Sequence, residues 1–153
     1  MNFQDCIKFA KENPTCAIAT VEGDQPRVRF VMVWRADDTG FYFQTETPKS
    51  FYKQLKRNPK VEVSFVLPIA FQYEESIQDP NEALTMRITG EVEFVDDLKL
   101  KAQCLEDRPF LKDAGIKGPD DPELVIFRIR KGEAFFWSLS DTCKESELPR
   151  IKF

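Results

Sequence analysis

Short runs of period-two alternation, each closed by turn residues, constrain this chain most. Successive side chains of a strand point to opposite faces, so such alternation marks strands with two unlike faces. Val61, Val63, Phe65 and Leu67 alternate with Glu62, Ser64 and Val66. Leu84 to Val95 alternates again, with Gly90 as a bulge or a point of close approach. Thr15 to Val21 is an apolar run of strand length, and Glu22-Gly23-Asp24-Gln25-Pro26 turns it into a second strand, Arg27 to Trp34. Asp37-Asp38-Thr39-Gly40 then leads into Phe41 to Thr45, predicted as the hairpin partner of the 27–34 strand. Leu124 to Arg130 and Ala134 to Leu139 read as a closing hairpin across Lys131-Gly132-Glu133. The 14 phenylalanines sit mostly in these runs, in keeping with aromatic enrichment in sheets.

Helical spacing occurs between the runs. Phe3, Cys6, Ile7 and Ala10 form one apolar face, which Asn13-Pro14 stops. Thr47-Pro48 reads as an N-cap followed by a first-turn proline, opening a helix that runs to about Arg57, before Asn58-Pro59. Asp96 to Glu106 places Leu98, Ala102 and Leu105 on one face, and Arg108 to Ala114 adds a short helical turn. Pro68 to Ala83 is a long polar loop with aromatic residues. The fold class is therefore mainly β: a six-stranded antiparallel barrel with three peripheral helices. Residues 1–139 form the barrel domain, and 140–153 form a tail that packs on the barrel or on a partner subunit.

Several classes of function are excluded. The formal charge of −4 and the pI of about 5.0 argue against a nucleic-acid domain. No apolar run approaches the roughly 18 residues that a membrane span needs. Met1 to Pro14 is amphipathic and charged, unlike an export signal, so the expected setting is cytoplasmic with reduced thiols. The four cysteines include no C-x-x-C, and histidine is absent, so no metal site and no Ser-His or Cys-His nucleophile is expected. Neither G-x-G-x-x-G nor a P-loop occurs.

The chemistry concentrates in one corner. Arg27 and Arg29 share a strand face with Val31 and Val33, opposite Val28, Phe30, Met32 and Trp34. Either the arginines face inward and meet an anion, which a planar guanidinium grips with two donors, or they face water while the apolar set packs the core. Thr45-Glu46-Thr47-Pro48-Lys49-Ser50 lies where a strand passes into a helix, a natural anion site, and Lys53 follows one turn on. Their neighbouring strands let the two features converge. Arg87 lies on the polar face of its strand, and Phe135-Phe136-Trp137 offers a ring that either stacks on a ligand or fills the core.

These residues resemble a known family. Ala17-Ile18-Ala19-Thr20, Gly23 and Pro26-Arg27-Val28-Arg29, then Phe41-Tyr42-Phe43-Gln44-Thr45, Lys49, Leu55 and Asn58-Pro59-x-Val61, and later Arg87-Ile88-x-Gly90-x-Val92, are similar to the pyridoxamine 5′-phosphate oxidase-like proteins. The resemblance covers roughly residues 3 to 139. It implies the FMN-binding split-barrel fold and a homodimer with FMN at the interface. It also implies that the stretch from Arg29 through Phe30, Val31 and Met32 to Val33 follows the flavin edge; Arg27, on the same strand, is a further cofactor-binding candidate. Gln44 and Thr45 would lie by the ribityl chain and phosphate. Lys49, Ser50 and Lys53 would bind phosphate, Arg87 would lie near the cofactor, and Trp137 would reach it from the partner subunit. Trp34 replaces the oxidase's lysine and Thr85 its glutamine, and the oxidase's substrate-binding C-terminal segment is not recognisable. The implied activity is flavin-mediated redox of a small molecule other than vitamin B6. A non-catalytic protein binding FMN, a deazaflavin or haem is the alternative.

Overall fold

A computed structural model describes residues 1–66 and 84–153, so Leu67 and the loop predicted over 68–83 lie outside the described residues. Helix α1 (Phe3–Glu12) begins on Asn2, whose Oδ1 accepts from Gln4 N at 2.8 Å, while Asp5 accepts from Asn2 N at 2.7 Å. It buries Cys6, Ile7, Phe9 and Ala10 and ends at Asn13, as the spacing requires.

The strands are β1 (Thr15–Glu22), β2 (Gln25–Met32), β3 (Arg35–Asp37), β4 (Gly40–Glu46), β5 (Lys60–Val66), β6 (Thr85–Val95), β7 (Leu124–Trp137) and β8 (Ile151–Lys152). Helix α2 is Ser50–Arg57, α3 is Leu98–Asp107 and α4 is Phe110–Asp113. The sheet runs β2-β1-β5-β6-β7-β4-β3, with β8 on β7 and every pairing antiparallel. The mainly β expectation stands; among the described residues the sheet has eight strands where six were expected, the short β3 and β8 among them.

Four local expectations fail. The closing hairpin is instead one continuous strand, β7. Gly132 has no positive φ and makes no turn. It faces Gly90 of β6, where the register shifts, and exchanges backbone hydrogen bonds with Phe153 at 3.1 and 3.2 Å. Strand 27–34 does not pair with 41–45. Strand β2 pairs with β1, and β4 pairs with β3 and β7, because the chain leaves strand geometry at Val33-Trp34. Helix α2 starts at Ser50, since Lys49 N bonds Glu46 O at 3.1 Å and closes a turn around Thr47-Pro48. In α3 the buried residues are Cys104 and Leu105, while Leu98 is exposed.

Cross-strand pairing assigns every face. One row runs Arg29–Ile18–Val63–Ile88–Ala134, and all four apolar members are fully buried. The next runs Phe30–Ala17–Ser64–Arg87–Phe135 on the opposite side. Arg29 therefore stands on the core face of an edge strand, and Phe30 stands outside. Strand β4 is buried on both faces: Phe41 and Phe43 enter the main core, whereas Tyr42 joins Leu105, Leu111, Leu124 and Ile126 beneath α3 and α4. The chain end packs on the barrel, with Phe153 stacked on Phe3 at 4.8 Å between ring centroids and edge-on to Phe41.

This packing can be tested at two places. A methyl at Gly132 would meet Thr89 O at 2.2 Å. Urea unfolding of Gly132→Ala should show a loss of about 1–3 kcal/mol, the cost of overpacking a close-packed site; a turn glycine with open space would lose less. Cys6, Cys16 and Cys104 are buried, which pushes their thiols up to about 11, 12 and 11, while Cys143 is exposed. A thiol reagent near pH 8 should label one cysteine in the native protein and all four in denaturant.

Candidate functional site

A cleft of about 380 Å³ opens where β2, β4, the entry to α2 and the α3–α4 link meet. It is lined by Arg29, Phe30, Val31, Met32, Gln44, Thr45 and Lys49, all anticipated from sequence, together with Phe51, Arg108 and Phe110, which were not. A larger hollow of about 470 Å³ on the outer face, lined by Ala19, Val21, Pro26 and Val61 among others, is open and mostly apolar. Its polar lining residues, Thr20, Lys60, Glu62, Thr89 and Glu91, contribute little of its surface.

Arg29 enters the cleft from the core face. Its guanidinium donates to Thr20 Oγ1 at 2.7 Å, Gln54 Oε1 at 2.6 Å and Ile18 O at 3.4 Å, and it lies 4.6 Å from the Phe51 ring centroid. These oxygen partners are neutral. Burial, with Arg27 nearby, holds its pKa below the usual guanidinium value. Arg108 caps the C-terminal end of α3 and donates to Gln44 Oε1, to Val33 O at 3.0 Å and to Met32 O at 3.3 Å. Burial lowers its pKa as well. Two cationic heads thus reach one cleft, each engaged by neutral oxygens. Lys49 stands at the entry to α2 and pairs with Glu46. Beside it, Thr45 is 1% exposed, and its Oγ1 has no hydrogen-bond partner among the described residues. Buried hydroxyls are rarely left so, and a ligand or an ordered water at this spot would satisfy it.

The remaining anticipated residues fall elsewhere. Arg27, near the β1–β2 turn, pairs with Glu22, with Nε 3.0 Å and Nη2 2.9 Å from Oε2. Ser50 opens α2 and, like Lys53, is exposed and outside the cleft lining. Arg87 sits on the outer face between Glu62 and Glu145, and its guanidinium lies 5.1 Å from the Phe135 ring. Trp137 ends β7 opposite Thr85, half-buried and away from the cleft. Phe51, Arg108 and Phe110 were missed because they join the site only through tertiary packing; the cation at the predicted end of α3 was the one local signal for Arg108. Trp34, where the resemblance places a lysine, donates Nε1 to Asp107 Oδ2 at 2.9 Å.

Known proteins share this architecture. The sequence matches the family described as pyridoxamine 5′-phosphate oxidase over residues 4–138. The crystal structure of a NimC/NimA family protein from Clostridium acetobutylicum is 27% identical, with a TM-score of 0.73, covering 99% of this chain and 93% of that one. The haem storage protein HutZ from Vibrio cholerae is 17% identical with a TM-score of 0.60, covering 90% of this chain and 95% of its own. An FAD-binding protein from Mesorhizobium loti is 18% identical with a TM-score of 0.59, covering 89% and 94%. At these identities the last two share the fold. No curated protein matches the chain.

Proposed function

The chain belongs to the pyridoxamine 5′-phosphate oxidase family, and on that premise we propose that it binds FMN in the cleft and serves, as a homodimer, in flavin-mediated redox of a small molecule. One observation carries the reading: the buried, partnerless hydroxyl of Thr45 stands beside Lys49 at the entry to α2. A phosphate there would supply the acceptor that Thr45 lacks. It would take the Lys49 ammonium from Glu46 and meet the unpaired backbone N–H groups of the first turn of α2. Arg29 raises the potential of the same cleft. The apolar strand edge at Phe30, Val31 and Met32, with Phe110 opposite, suits a planar ring.

Bound flavin supplies the hydride and electron chemistry itself. This chain contributes binding, orientation and charge, so the absence of histidine removes nothing that the reaction needs. The same absence counts against haem, whose usual proximal ligand is histidine. Trp34, held to Asp107, stands where the resemblance places a lysine, which supports a substrate other than vitamin B6.

The homodimer is supported by the outer face of β2, where Val28, Phe30 and Met32 form an exposed apolar row. Trp137 and Arg87 lie outside the protomer's own cleft, so any contact of theirs with FMN would come from the partner. The test is the absorbance spectrum of freshly purified protein and of protein incubated with excess FMN, with mass spectrometry of whatever is released. A flavin spectrum at one FMN per chain is expected. Protein that stays colourless after incubation and desalting would refute the proposal. Acceptor-dependent oxidation of a nicotinamide donor would separate catalysis from simple binding.

A further inference from the structure

The link between α3 and α4 sends one side chain back across the barrel to the cleft. Arg108 is half-buried, and its head gathers three oxygens: Gln44 Oε1, Val33 O and Met32 O. Two belong to the chain just after and at the end of β2, and the third to β4. Asp107, the preceding residue, directs its carboxylate to Trp34 Nε1 at 2.9 Å and Gln103 Nε2 at 3.0 Å. Arg108 makes no ion pair among the described residues.

A guanidinium carries only donors. Whatever atom of Gln44 faces it must accept, so the amide oxygen is turned to Arg108 and the amide nitrogen away from it. The chemistry of the partner thus settles an orientation that heavy-atom positions alone leave ambiguous. Gln44 is half-buried and lines the cleft, and its Nε2 makes no hydrogen bond to the described residues. We infer that Arg108 is a positioning residue that locks the Gln44 amide with its N–H donors toward the cleft, so that this wall selects a cofactor edge bearing acceptors. A freely rotating amide would offer either end. The lock removes the acceptor and leaves a preorganised donor, which loses little entropy on binding.

This inference rests on the FMN reading of the cleft, and its test separates the two. FMN affinity is measured by flavin fluorescence for wild type, Arg108→Met, Gln44→Met and the double variant. Both single variants should bind about tenfold more weakly, and the double variant no more weakly than either, because both remove one oriented donor. A loss near a hundredfold in the double variant would mean that Arg108 touches the ligand independently, and would overturn the inference. Gln44→Glu keeps an oxygen for Arg108 and deletes the N–H donors; it should lose affinity as Gln44→Met does, and retained affinity would refute the donor role. The ¹H–¹⁵N signals of the Gln44 side-chain amide in ligand-free protein give a readout without flavin. They should shift and exchange faster in Arg108→Met, and unchanged signals would overturn the lock. Failure of wild type to bind FMN would remove the FMN reading, and the amide signals would still decide the role of Arg108.

Discussion

Phe30→Asp is expected to turn the proposed homodimer into a monomer, with the dimer dissociation constant weakened about a thousandfold. Phe30 is 80% exposed in the protomer, beside Val28 at 72% and Met32 at 52%. Cross-strand pairing places Ala17 and Ala19 next to them, so small side chains leave the row accessible to a flat partner. Burying a phenylalanine is worth about 2 kcal/mol, and two-fold symmetry counts it twice. The resulting loss of about 4 kcal/mol is close to three decades in the dissociation constant. Desolvation of two facing carboxylates would add to it. Since the side chain already meets water in the protomer, the fold itself should be little affected. Sedimentation velocity at micromolar concentration, with circular dichroism as a control, decides the matter. A monomeric wild type, or a Phe30→Asp variant that remains dimeric, would show that β2 does not form the interface.

If FMN occupies the cleft as proposed, Lys49→Ala should weaken its binding by about 1.5–3 kcal/mol, the value of one hydrogen bond to a charged group. That corresponds to roughly ten- to a hundredfold in affinity. Riboflavin, which lacks the phosphate, should bind wild type and variant equally, because Lys49 has only the phosphate to offer. Equal losses for both flavins would move the phosphate away from α2. Arg29→Ala should behave differently. Its head holds Thr20 and Gln54, both buried, so its removal should lower affinity and also cost about 1–3 kcal/mol of stability. Lys49→Ala should cost less stability than Arg29→Ala, since the Lys49 side chain is mostly exposed and only Glu46, 15% exposed, loses its partner. Titration calorimetry with urea unfolding distinguishes the two patterns.

Much of the site was legible before the fold was known, but for mixed reasons. Thr45, Gln44 and Lys49 all line the cleft, because a strand passing into a helix is a local event with a local signature. Their convergence with Arg29 was anticipated through a hairpin that does not exist. Along the sheet path β1, β5, β6 and β7 all lie between β2 and β4. The two strands meet at the cleft wall because the sheet curls round, and Arg108 ties them there. Arg27 shares the face of Arg29, yet two residues along the strand it reaches the turn and Glu22 instead.

Periodicity, caps and turn residues act within a few positions, so β1, β2, β4, β5 and β6, the first helix and the family resemblance could be read directly from the chain. So could the fact that β2 has one charged and one apolar face. Alternation carries no sign, however: period two says that the faces differ, not which of them meets the core. Packing made that choice, turning Arg29 inward beside fully buried Ile18 and leaving Phe30 outside. It also ran β7 straight through Gly132, where β6 and the chain end supply partners that no local signal names. The place of Arg108 was likewise settled by the fold, because its three oxygen partners lie 64 to 76 residues away along the chain.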